Sequence, residues 1–210
     1  NITGGKFIDN KATVNHGGVF RIVAQSTLTA DGVYFKGNTA TAEAGVFWLG
    51  NYATQVEVKN CIFEANATAT WGGVISSHNT NAGASLLLEN NRFRENVSVD
   101  TKAHGRDINL AGAVKAVTMK NNTFDDGGDH VVINNAGTEV KLSGKNVFEV
   151  YLNGANAIKS NIAALKLTDT FDSGSKITLV SSLVPTIGNC VATCQSEMQA
   201  EECLGSFSMV

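Results

Sequence analysis

The chain has 210 residues, is 43% hydrophobic and 17% charged, and carries a formal net charge of −3 from sixteen Lys and Arg against nineteen Asp and Glu. That length sustains one sizeable core and argues against two independent ones, and the lack of any run of like charge argues against nucleic acid or an anionic membrane as a partner. No apolar stretch reaches a membrane span, no signal peptide opens the chain, and it starts at Asn1 without Met, which reads as a processed or excerpted piece.

Twenty-two Asn and 21 Gly stand against a single proline, Pro185, so many strands joined by tight turns are expected. Phe7-Ile-Asp-Asn10 is the first copy of a unit that recurs as Phe35-Lys-Gly-Asn38, Phe63-Glu-Ala-Asn66 and Phe93-Arg-Glu-Asn96, at spacings of 28, 28 and 30. Each of the first three copies is followed by Ala and Thr and then by a glycine pair or near-pair: Gly17-Gly-Val19, Ala44-Gly-Val46 and Gly72-Gly-Val74. Alternating strands are predicted ahead of each Phe, at 28–30, 56–58, 86–88 and 117–119, and behind each glycine pair, at 20–22, 47–49, 75–77, 108–110 and 131–133. With the segment around Phe itself, a repeat holds about three short strands and no helix, which predicts a parallel β-helix with one repeat per coil.

Stacked coils about 4.8 Å apart should alternate outward charge within a column. Four before the repeat Phe the column reads Asp31, Lys59, Glu89, Lys120, and one after it Lys36, Glu64, Arg94, Asp125. Asparagine fills two further columns, Asn10, Asn38, Asn66 and Asn96 after the Phe, and Asn60, Asn90 and Asn121 before it. A stacked Asn ladder and left-handed turns are expected there. Asn1, Asn66, Asn96 and Asn121 also begin Asn-x-Ser/Thr sequons, so ladder and glycan compete for the same amides.

Beyond residue 139 the pattern loosens through Val140-Lys-Leu142 with Phe148 and Leu165-Lys-Leu167 with Phe171, at spacings of 24 and 23. From Asn189 to Cys203 helix formers dominate and Cys190, Cys194 and Met198 share an i, i+4, i+8 face, so a helical cap over 186–210 is predicted to close a β-helix of 1–185. Three tail cysteines cannot all pair among themselves. Either Cys61 joins Cys190, Cys194 or Cys203, or one thiol is free, or a bond leaves the chain.

The order F-x-x-N-x-A, a short loop, then G-G-V/A resembles the repeats of the chlamydial polymorphic outer membrane proteins and related repeats in secreted proteins of bacteria and protists. Phe7, Asn10, Ala12, Gly17 and Gly18 carry it, as do Phe35, Asn38, Ala40 and Gly45, and Phe63, Asn66, Gly72 and Gly73; it spans roughly residues 1 to 135. The resemblance implies a surface-exposed parallel β-helix with an adhesive or structural role.

Candidate chemistry is sparse. A polysaccharide lyase, hydrolase or epimerase needs carboxylates gathered across coils, for Ca²⁺ or for acid–base work. Only Glu95 and Asp126, each two after a repeat Phe, offer a carboxylate pair for a Ca²⁺ ion. His16, Glu43, Trp71 and His104 fall at comparable places, a mixed polar and aromatic patch for sugar contact. Ala-Thr runs after each F-x-x-N raise an ice-binding face, although they are expected in loops. The expectation is therefore an all-β, single-stranded right-handed parallel β-helix of about six to seven coils, secreted or on the cell surface. It needs no cofactor, enters no membrane, binds no nucleic acid, and partners itself or surface proteins and glycans. Its first coil, with Ile2 where Val58 would stand, looks open to stacking into a head-to-tail fibre.

Overall fold

The computed structural model describes residues 1–133 apart from residue 24 and the segments 51–54, 78–83, 100–104, 111–113 and 126–129, with side chains as far as Val131; beyond 133 it describes the backbone of short strands only. Every strand in the F-x-x-N region pairs in parallel with its equivalent one repeat away, and the result is an all-β solenoid of about four turns.

Each turn lays down four strands. The turn that starts at Thr27–Asp31 continues through Tyr34–Lys36, Thr39–Ala40 and Phe47–Leu49; the next uses Gln55–Lys59, Ile62–Glu64, Ala67–Thr68 and Ile75–Ser77. Stacking gives a long-strand sheet, a phenylalanine sheet, a short sheet and a Gly-Gly-Val sheet. The expectation of about three strands per repeat is corrected by the short sheet, built from Lys11–Ala12, Thr39–Ala40, Ala67–Thr68 and Val97–Ser98. Two residues carry no readable periodicity, so this element is defined by its neighbours rather than by its own pattern.

The register follows the repeat. Phe7, Phe35, Phe63, Phe93 and Phe124 align, and so do Asp31, Lys59, Glu89 and Lys120. In the long-strand sheet alternation buries every second side chain, while the Gly-Gly-Val strands from Phe47–Leu49 to Ile108–Leu110 bury all three residues. The aligned Phe rings stack at centroid distances of 5.4, 5.0, 4.8 and 4.5 Å, the spacing of neighbouring strands. Phe47 meets Phe35 and Phe63 edge-on from the opposite sheet at 5.1 and 6.1 Å. Leu86, Leu88, Val117, Ile75, Ile108 and Leu110 fill the rest of the core.

Corners turn through the left-handed backbone region. Gly32, Asn60, Asn90 and Asn121 occupy it between the first and second strands, as expected for Asn, and Asp9, Gly37, Ala65 and Glu95 between the second and third. The second glycine of each pair has a different reason. A Cβ on Gly45 would lie closer than 3.0 Å to the Gly73 carbonyl oxygen in one direction and to Asn38 O in the other, both of them backbone atoms that cannot swing aside. Gly45→Ala should therefore cost about 3 kcal/mol by overpacking, seen as a lower denaturation midpoint. Gly32→Ala, with nothing within 4 Å of the added carbon, should cost only the left-handed penalty of about 1–2 kcal/mol.

Where the sequence pattern predicts a helix over the tail, the described residues are strands. Glu197–Gln199 runs antiparallel to Lys176–Thr178 at the edge of the phenylalanine sheet, and Thr186–Ile187, Cys190–Val191 and Ser208–Met209 form a separate antiparallel sheet. Backbone pairing at the sheet edge satisfies groups that local helix propensity leaves unpaired, and tertiary context routinely overrides such propensity. Cys194 and Cys203 lie outside the described residues.

Candidate functional site

The expected asparagine ladder exists and is internal. Asn10 Nδ2 donates to Asn38 Oδ1 at 2.8 Å, Asn38 Nδ2 to Asn66 Oδ1 at 2.9 Å, and Asn66 Nδ2 to Asn96 Oδ1 at 3.0 Å. The second hydrogen of each amide goes to the carbonyl of the Phe one coil back: Asn38 to Phe7, Asn66 to Phe35 and Asn96 to Phe63. Asn38, Asn66 and Asn96 are 0, 0 and 1% exposed. An N-glycan would replace one Nδ2 hydrogen, and at Asn66 and Asn96 both are engaged inside the core. Asn60, Asn90 and Asn121 stand at the surface instead, with Asn60 Nδ2 donating to Asp31 and Asn90 Nδ2 to Asn60 Oδ1. Asn1 is exposed as well.

A second buried ladder went unread in the sequence. Asn91 Nδ2 donates to Asn122 Oδ1 at 3.0 Å and to Val58 O at 2.8 Å, Cys61 N–H donates to Asn91 Oδ1 at 2.9 Å, and Val33 N–H reaches Cys61 Sγ at 3.4 Å. The column Val33, Cys61, Asn91, Asn122 changes residue type midway, which hides it from an identity search. Its signal was the doubled Asn at 90–91 and 121–122. Cys61 is a free thiol, 1% exposed, and burial pushes its pKa up to about 11, so it packs as an unreactive core residue.

Outside, the carboxylates are consumed by pairing. Glu64 accepts from Lys36 Nζ at 2.7 Å and from Tyr34 Oη at 2.8 Å, and is ion-paired with Arg94 from the next coil. Lys120 holds Glu89 at 3.1 Å, and Asp125 pairs with Arg92. Lys59 takes Glu57 on its own strand at 3.1 Å rather than a column neighbour. Hydrogen bonds from Lys36 and then from Tyr34 hold the Glu64 carboxyl at about 2, well below its ordinary 4.5. A folded-state pKa below the unfolded one means stability that is present above pH 4.5 and is lost as pH falls toward 2. Glu64→Gln should flatten that part of the acid-unfolding curve, which a melting series from pH 6 down to about pH 2 reads directly.

Of the sugar-contact patch, the structure brings His16 and Glu43 together around Trp48. His16 stacks on the indole with centroids 4.6 Å apart, the Arg21 guanidinium lies 5.0 Å from the ring centroid, and Trp48 Nε1 donates to Glu43 Oε2 at 3.1 Å. Ser76 Oγ donates to the same oxygen at 2.9 Å, and His16 Nδ1 accepts the Glu43 backbone N–H at 3.2 Å. With Trp48 only 7% exposed, the indole is a strut between coils rather than an open platform for a sugar ring. His104 lies outside the described residues, and Trp71 contributes its carbonyl to Ala44 N–H at 3.0 Å. A further internal pair, His130 Nδ1 and Asp107 Oδ2 at 2.7 Å, terminates the first ladder, since Asn96 Nδ2 also donates to Asp107 Oδ1 at 2.8 Å.

Glu95 is exposed on its left-handed turn, and its Ca²⁺ partner Asp126 lies outside the described residues. Among the described residues no three His, Cys, Asp or Glu side chains gather in a group that could hold a metal ion. The Ala-Thr runs straddle the ends of the short-sheet strands: Ala12, Ala40 and Thr68 are the last strand residues, whereas Thr13, Thr41 and Thr70 lie in the turns beyond, Thr13 and Thr41 exposed and Thr70 Oγ1 donating to Ala42 O at 2.8 Å. Comparison with protein-family models, curated proteins and solved structures finds no match for the chain.

Proposed function

We propose that the chain is a structural and adhesive surface module, a right-handed parallel β-helix of about six to seven coils that is secreted or displayed on a cell. The observation that carries this reading is the use of the polar groups. Outward carboxylates are neutralised by cations from adjacent coils, as at Glu64, and inward amides are spent in ladders. Such a surface keeps its shape and offers contact area without a poised acid or base. The seven-stranded order that runs from Ile2–Thr3 to Lys166–Asp169 supports the coil number, and parallel crossovers within one sheet favour the right hand. The F-x-x-N and Gly-Gly resemblance supports the surface role. Self-stacking of coils into a fibre is part of the same proposal.

The test is retention without turnover. Immobilised chain should hold cells or arrayed glycans and leave uronate polymers intact, with and without added Ca²⁺. Appearance of unsaturated uronide products would overturn the reading in favour of a lyase. Failure to retain any ligand, together with monomers at every concentration in light scattering, would overturn both adhesion and stacking.

A further inference from the structure

We propose that Asn121 is a position at which this chain accepts an N-linked sugar, and that the fold closes Asn66 and Asn96 to one. The inference rests on the extracellular reading above and selects by geometry among the three sequons at Asn66, Asn96 and Asn121, the exposed Asn1 being left open as well. Asn121-Asn-Thr123 lies at the corner between Val114–Lys120 and Thr123–Phe124, exposed and at φ +54. Its column mates Asn60 and Asn90 are also exposed, and each uses one Nδ2 hydrogen in a surface bond, at 2.7 and 3.2 Å. A glycosylated amide keeps one N–H, enough for a bond of that kind.

Asn66 and Asn96 have no such latitude. Asn66 Nδ2 donates to Phe35 O at 3.1 Å and Asn96 Oδ1 at 3.0 Å, and Asn96 Nδ2 to Phe63 O at 3.1 Å and Asp107 Oδ1 at 2.8 Å. In the modification, Asn121 Nδ2 attacks C1 of the first sugar of a polyprenyl-diphosphate oligosaccharide. The N–C1 bond forms, the C1–O bond breaks, the polyprenyl diphosphate leaves with the electron pair, and Nδ2 releases a proton. A chain modified at Asn66 or Asn96 before folding cannot close its ladder and does not enter the folded fraction.

The experiment expresses the chain behind a supplied secretion signal in a eukaryotic host, so that the compartment is set by the experiment, and maps peptides of the folded fraction by mass. The expected result is a glycan mass shift on the Asn121 peptide that amidase treatment removes, with the Asn66 and Asn96 peptides unshifted. Thr123→Ala and Asn121→Asp should each abolish the shift. An unshifted Asn121 peptide, or folded chain carrying sugar on Asn66 or Asn96, overturns the proposal. Whether the native chain leaves its cell is read separately, by locating it there.

Discussion

Replacing Asn66 with Ala is expected to abolish cooperative folding or come close to it. The change strips Phe35 O of its donor and leaves Asn38 N–H and one Asn38 Nδ2 hydrogen without an acceptor, all within the core. Each orphaned buried group costs about 1–3 kcal/mol, and the sum competes with the roughly 5–15 kcal/mol that holds a whole domain together. Asn90→Gly is the control. That position is exposed and left-handed, glycine adopts the conformation freely, and the loss should stay below about 1 kcal/mol. Urea unfolding of the two variants beside the parent separates them; equal midpoints would mean that burial of the ladder contributes nothing.

Phe63→Ala should be nearly as damaging for a different reason. Its ring is fully buried, stacked between Phe35 and Phe93 and met edge-on by Phe47. Removing it breaks an aromatic column at its centre and leaves a cavity between rings that the strand spacing holds apart, so relaxation cannot close it. The expected loss is about 3–5 kcal/mol, read as a drop in melting temperature. Phe63→Leu, which refills much of that volume, should recover about half of it.

Both sites are legible in the sequence because they recur in identity and spacing. Phe, Asn and the second Gly each answer a constraint repeated at every coil: a ring to stack, an amide to bridge, a carbonyl to clear. The charge columns were legible for register but not for partners. Glu64 gathers three groups from two neighbouring coils, whereas Lys59 turns to its own strand. What stayed hidden depends on contacts without a repeated letter. The Val33, Cys61, Asn91, Asn122 column mixes residue types that serve one backbone acceptor role. The Glu43, Trp48, Ser76 and His16 cluster draws on successive coils and recurs in none of them. Glu95 carries a second signal besides its charge. Its column, Asp9, Gly37, Ala65, Glu95, is one of left-handed corners, and Gly37 within it was the available signal. In the tail, helix propensity was read from local composition, while the described strands take their conformation from pairing partners.

Side-chain amide hydrogen exchange by NMR tests most directly that the buried asparagine ladders hold the coils together. Both Nδ2 hydrogens of Asn38, Asn66, Asn91 and Asn96 should be protected to the level of global unfolding, while those of Asn60 and Asn90 exchange at rates near those of a surface amide. Uniformly fast exchange across all six would contradict the account.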